Sequence, residues 1–155
     1  MIQHCRRFYP FYLFLLIATA LGTYYIWHRD AVQTFSCQAS FVQHHPNETL
    51  TLWLNYTLNA KSGMLSINGR IQSDPRKVIN RKISFQVQRK DHVYYLTSER
   101  NIKFPDDNID DVWLEKYEPL FFLYPGKHIY MRITAQSNNS YLFMLGTLPT
   151  YICHA

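Results

Sequence analysis

The chain has 155 residues, 47% of them hydrophobic, a formal net charge of +5 at pH 7 and only five glycines. That length supports one ordinary domain with a short appendage, and the scarcity of glycine speaks against phosphate-cradling loops. Arg6 and Arg7 account for part of the positive excess, and what remains is too slight to argue for nucleic-acid binding.

The first predicted element is the apolar run Phe8 to Trp27. A helix of about 20 residues at ~1.5 Å per residue spans ~30 Å, the thickness of a bilayer's hydrocarbon core. Basic residues flanking a first span stay in the cytoplasm. The reading is therefore a cytoplasmic stub at 1–7, a transmembrane helix at 8–27, a linker at 28–34 and an outer β domain at 35–155. Arg6 and Arg7 hold the inner side, and Trp27 sits among the aromatics of the outer interface. The rival is a cleaved signal peptide, since Ala18-Thr19-Ala20 has the small-residue pattern of a cleavage site. The apolar run continues through Leu21, Tyr24, Tyr25 and Ile26, which favours a retained anchor, and the arginine pair matches a twin-arginine signal poorly. Seven cytoplasmic residues hold no DNA-binding helix pair, so direct nucleic-acid binding is excluded on this reading and any inward signal needs a partner.

Beyond the linker the period is mainly two. Phe35 to Phe41 reads as a strand, and Thr49 to Asn59 places Leu50, Leu52, Leu54, Tyr56 and Leu58 on one face, with Trp53 an exception on the polar face. Met64 to Gln72 follows, with Gly69 inside it as a candidate bulge. Ile79 to Gln88 and His92 to Ser98 complete an antiparallel meander of four consecutive strands. The period then lengthens. A short helix is predicted over Ile109 to Tyr117, with Ile109, Val112, Trp113, Lys116 and Tyr117 on one face, acids in its first turn and Pro119 ending it. The Tyr124-Pro125-Gly126-Lys127 turn leads to strands at His128 to Gln136 and Tyr141 to Thr147, with Cys153 in the tail. The expected fold class is α+β, mainly β: an N-terminal transmembrane helix followed by one antiparallel sheet of about seven strands, curved or barrel-like and closed by one short helix.

Cys5 falls in the reducing cytoplasm on this topology, whereas Cys37 and Cys153 bracket the outer domain where disulfides persist. Their bridge would close a loop of more than a hundred residues, worth roughly 4 to 5 kcal/mol in the chain-entropy account. The alternative is two buried free thiols. No C-x-x-C partner makes a zinc site of them, so no metal is expected there.

Nine cations fall between Arg70 and Lys103, and Asp106, Asp107, Asp110, Asp111, Glu115 and Glu118 follow at once. Solvated strand edges and a helix start account for them simply; a charged face that orients a protein partner is the sharper reading. The acids lack the glycine and terminal glutamate of an EF-hand loop, so capping is preferred to calcium. There is no G-x-S-x-G, no H-E-x-x-H and no phosphate loop; catalytic residues, cofactors and resident metals are not expected. The wealth of aromatics suits core packing first and a lipophilic ligand second. His44, His45, His92 and His128 are candidate pH-sensing residues, because histidine alone changes charge between pH 5 and 8 without perturbation.

The order of Thr34-Phe35-Ser36-Cys37, Asn68-Gly69-Arg70-Ile71, Arg81-Lys82-Ile83-Ser84-Phe85, Tyr95-Leu96-Thr97-Ser98, Phe121-Phe122-Leu123-Tyr124-Pro125-Gly126-Lys127, Tyr141-Leu142-Phe143 and Tyr151-Ile152-Cys153 resembles that of the FidL-like inner-membrane proteins of enteric bacteria. Within them the single N-terminal span and the size are most similar to the MyfF and PsaF group, accessory regulators of Myf fibrillae and the pH 6 antigen. The resemblance implies a single-pass protein of the bacterial inner membrane with its C-terminal domain in the periplasm. It implies a partial lipocalin-like barrel, shared with a partner that is a ToxR-like membrane-bound transcriptional activator of the MyfE or PsaE type, stabilised through periplasmic domains. The acid induction of these fibrillae makes the histidines relevant. The expected function is a non-enzymatic regulatory accessory; the alternatives are a periplasmic binding module for a lipophilic small molecule and a fibrilla assembly chaperone.

Overall fold

The computed structural model describes residues 3–29 and 32–155, and along the N-terminal helix it describes the side chains of residues 11–25. The chain divides into two units, Met1–Ala31 and Val32–Ala155.

The first unit is helix α1, Gln3–Arg29. Its described apolar side chains are exposed, among them Phe14, Leu16 and Leu21, each with more than half of its surface bare. The hydroxyls of Thr19 and Thr23 are satisfied within the helix: Thr19 donates to the carbonyls of Leu15 and Leu16, and Thr23 to those of Thr19 and Ala20, all at 2.9–3.0 Å. Such back-bonding spares an apolar helix surface an unpaired donor. Among the described residues, no helix is long and apolar enough to cross a membrane. The predicted span extends past the described side chains at both ends, and Arg6, Arg7 and Trp27 lie outside them.

The second unit is a closed barrel of eight strands, each antiparallel to the next: β1 Phe35–His44, β2 Thr49–Leu58, β3 Ser62–Ile71, β4 Val78–Lys90, β5 Val93–Lys103, β6 His128–Ala135, β7 Ser140–Leu145 and β8 Leu148–His154. The period-two pattern is what closes it. Leu50, Leu52, Leu54, Tyr56 and Leu58 of β2 are buried, alternate residues turn outward, and Trp53 is indeed on the outside, 45% exposed. The interior is filled rather than hollow. Tyr56 packs on Phe143 with ring centroids 4.9 Å apart, Phe143 on Tyr151 at 5.0 Å, and Tyr151 on Phe41 at 4.9 Å. Aromatics that read as surplus in the sequence are the core that joins β7, β8, β1 and β2.

Several boundaries differ from expectation. The eighth strand replaces the predicted tail, and the sheet closes fully. β8 opens on Leu148-Pro149 without clean alternation, and a register shift at Phe143/Met144 lets Pro149 sit opposite Met144. Strand β5 runs to Lys103 rather than Ser98; beyond Ser98 it pairs only with β4, past an irregularity at Ser84/Phe85, and loses its alternating burial. Gly69 marks no bulge, for β3 pairs in unbroken register on both sides. A Cβ at Gly69 would lie 2.6 Å from Leu52 Cδ2, so close packing across the strands explains the glycine. Gly63 is tighter still, since a Cβ there would come within 2.3 Å of the buried Phe85 ring. Gly63→Ala is expected to cost about 1–3 kcal/mol through overpacking, read as a lower urea midpoint at unchanged m-value.

The predicted helix over Ile109 to Tyr117 is only α2, Asp111–Leu114, followed by a 3-10 turn at Leu120–Phe122. With one turn formed, the nine-residue face does not exist: Val112 and Lys116 are exposed, while Leu114, Phe121, Phe122 and Leu123 are buried. This connection between β5 and β6 folds over the end of the barrel where β1, β3 and β5 finish.

Candidate functional site

The barrel's two ends differ in chemistry, and the capped end gathers most of the unusual groups. Its anchor is Arg81, which period two places on the inward face of β4 between Ile79 and Ile83. An arginine there needs a partner, since a buried unpaired charge is costly. Arg81 is 3% exposed; its Nε donates to Asp107 Oδ2 at 2.8 Å, and an Nη lies 2.7 Å from Asp111 Oδ1. Lys103 Nζ completes the cluster, 3.5 Å from Asp107 and 3.6 Å from Asp111. Burial works against the Arg81 charge, but hydrogen bonding and attraction from Asp107, joined by Asp111, outweigh it and hold its pKa above the ordinary arginine value.

Asp107 also accepts from the backbone N–H of Asn80 at 2.9 Å and of Ile109 at 3.3 Å. Asn108 takes the Val78 N–H and returns a bond to the Arg76 carbonyl, and Asp106 accepts from the Asn80 amide. The acid run is thus more than a solvated edge and a helix start: Asp106, Asp110 and Glu115 are exposed and Asp111 stands in the first turn of α2, but Asp107 is buried, and Asp110, the cap residue of α2, makes no side-chain cap bond. The run clamps the segment after β5 onto the start of β4. Among the described residues, no group of three His, Cys, Asp or Glu side chains is placed to hold a metal.

Behind the clamp lies an interior cavity of about 40 Å³, walled by Leu52, Leu54, Ile67, Met131 and Phe122 and by the polar Gln43, Tyr151 and Glu118. At ~10–15 Å³ per water centre it takes a few waters, far short of the ~300 Å³ and more of a pocket for a drug-sized ligand. Glu118 is 9% exposed and its Oε1 has no hydrogen-bond partner. Desolvation pushes its carboxyl up to about 8. The hydroxyls of Tyr56 and Tyr151, 2.7 Å apart, are both pushed up by burial, and the Glu118 charge adds to each. Glu118 was one of a run of acids in the sequence. Its position four residues after Leu114 and before the apolar Pro119 to Leu123 is the signal that it turns inward.

The candidate histidines do not form one site. His44 and His45 lie at the capped end: His44 is exposed and shares a bond with Thr49 Oγ1 at 3.3 Å, while the half-buried His45 ring sits 4.9 Å from that of Tyr117. His128, exposed at the start of β6, pairs with Thr97 Oγ1 at 2.9 Å. His92 is in the β4–β5 turn at the opposite end, beside Arg89 and Arg132.

Cys37 and Cys153 are joined in a disulfide with Cα atoms 5.4 Å apart. They flank the position where the barrel shuts. β1 pairs with β2 along its whole length but with β8 only at Gln38↔His154, so the covalent bond stands where the ladder is thinnest.

An eight-stranded meander whose interior is occupied by its own side chains belongs with the small closed antiparallel β-barrel domains. The chain belongs to the YqeJ C-terminal domain family, which it matches over residues 34–153, from just before β1 to the second cysteine of the bridge. It is similar to the uncharacterized protein YqeJ of Escherichia coli strain K12, with 26% identity over 123 residues, 76% of this chain and 77% of that protein.

Proposed function

We propose that this chain is an accessory regulator of the bacterial inner membrane whose periplasmic barrel binds and stabilises a ToxR-like transcriptional activator of fibrilla or fimbrial adhesin genes. The observation that carries the reading is a barrel stapled by a disulfide and packed with its own side chains, leaving about 40 Å³ inside. Such a domain works through its outer surface, where Trp53, Val42 and Ile152 stand exposed on β2, β1 and β8. The resemblance of the segment order to that of FidL-like proteins of the MyfF and PsaF group supports this choice of partner. The disulfide suits the periplasm, and the bare apolar surface of α1 suits an anchor over 8–27 with Arg6 and Arg7 inside and Trp27 at the outer interface. His44, His45, His92 and His128 remain the histidines through which acid would act on the complex. A lipophilic-ligand module is the weaker reading, because the cavity is too small for one.

Co-expression decides between them. The activator's half-life is expected to lengthen several-fold when this chain is present, with both recovered together through the periplasmic domain. Equal half-lives with and without the chain, and no recoverable complex, would remove the proposal.

A further inference from the structure

We infer that Glu118 is a proton-binding site of the barrel's capped end: the connection between β5 and β6 sits closed over a neutral carboxyl, and loss of that proton works the connection loose. The inference rests on the geometry of the barrel and holds independently of any partner.

The cavity offers an ionised carboxylate little. Its walls are mostly aliphatic and aromatic, and Glu118 Oε1 makes no hydrogen bond with the few polar groups around it. From β1, Gln43 presents an Oε1 that is itself buried without a partner. From β4, the Arg81 guanidinium is drawn to Asp107 and Asp111, with Lys103 behind them. From β2 and β8, the Tyr56 and Tyr151 hydroxyls share one hydrogen bond, in which one of the two donates. From the loop after β1, the His45 ring rests against Tyr117, next in sequence to Glu118, with its Nε2 buried and without a partner, and one oxygen of Glu48 accepts from Ser73. A protonated carboxyl changes the balance, because it leaves no charge to solvate and can donate as well as accept.

The cap is the part able to answer. Glu118 lies between α2 and the 3-10 turn, tied by its N–H to the Leu114 carbonyl, and Pro119 beside it lines the same cavity. Moving Glu118 to water means lifting this connection from the end of the barrel. Burial raises the closed-state carboxyl to about 8, against an ordinary 4.5 once it is solvated. Below pH 4.5 both states hold the proton and pH has no effect. Between 4.5 and 8 the closed state keeps a proton that the opened state has released, so the ratio of open to closed rises with pH, by up to ~tenfold per unit; above 8 it levels off. Acid therefore holds the cap shut.

The test uses the full chain in detergent micelles with 13C at the glutamate carboxyls, of which there are four, Glu48, Glu99, Glu115 and Glu118. One resonance, absent from Glu118→Gln, is expected to titrate near pH 8. Hydrogen exchange over 111–123, corrected for the intrinsic rate, is expected to rise from pH 5 to 8 in the wild type and to stay low and flat in Glu118→Gln. A Glu118 resonance titrating in the ordinary carboxyl range, or matching exchange profiles for the two proteins, would overturn the inference. If the variant fails to fold, the wild-type titration decides alone: no glutamate midpoint above about 6 rejects it.

Discussion

Removing the Cys37–Cys153 bridge is expected to lower stability by up to about 5 kcal/mol, the chain-entropy value for a loop whose ends are 116 residues apart. The location makes the loss structural as well as entropic. With one paired position between β1 and β8, the barrel has little else along its backbone to keep that seam shut. The stacked Phe41 and Tyr151 rings would remain as the main contact across it. Cys37→Ala, Cys153→Ala and the double variant should fall to similar urea midpoints, because each removes the same single cross-link. Amide exchange in β1 and β8 should accelerate before that in β3 and β4, which pair along most of their common length. Uniform acceleration around the barrel would show that the ladder, not the bond, closes it.

Breaking the interior ion pair is the second large effect. Arg81→Met leaves the Asp107 carboxylate, whose side chain is wholly buried, without its chief counter-charge, and a loss of about 3–5 kcal/mol is expected. Lys103 and the two N–H donors from Asn80 and Ile109 remain, which argues for the lower end of that range. Asp107→Leu is expected to cost a comparable amount, since it leaves the buried arginine with Asp111 alone and orphans those two N–H groups. The double variant should lose clearly less than the two single losses combined, as each removes a charge the other leaves stranded. Chemical denaturation of the four proteins gives the coupling directly; strict additivity would mean that Arg81 and Asp107 do not depend on each other.

These two features were unequally visible beforehand. The cysteines announced their bond through compartment and pairing arithmetic, because a disulfide is a property of two residues and where they reside. The Arg81 clamp was spread over residues 26 to 30 apart in the chain, and the acids alone fitted a helix start equally well. The tell-tale was an arginine at an inward position of β4, between Ile79 and Ile83, which has no reason to be there without a buried anion.

The strands of the meander followed from the sequence because alternation is local: Leu50 to Leu58 must face one way along an extended backbone whatever they pack against. Burial of most predicted strand faces, the outward turn of Trp53 and the antiparallel order came from that rule and from short turns. Closure did not, since it depends on β8 reaching β1 at the far end of the domain, and β8 has a proline and a register shift where a sequence pattern would need regularity. Helix period likewise overstated α2, because one turn tied down by Asp107 and Asp111 on one side and Pro119 on the other has no room to propagate. Whether Glu118 lay in water or in the core was settled by which chain segments covered it. Charge is read from a residue, but desolvation is a property of its neighbours, and only the folded barrel supplies those.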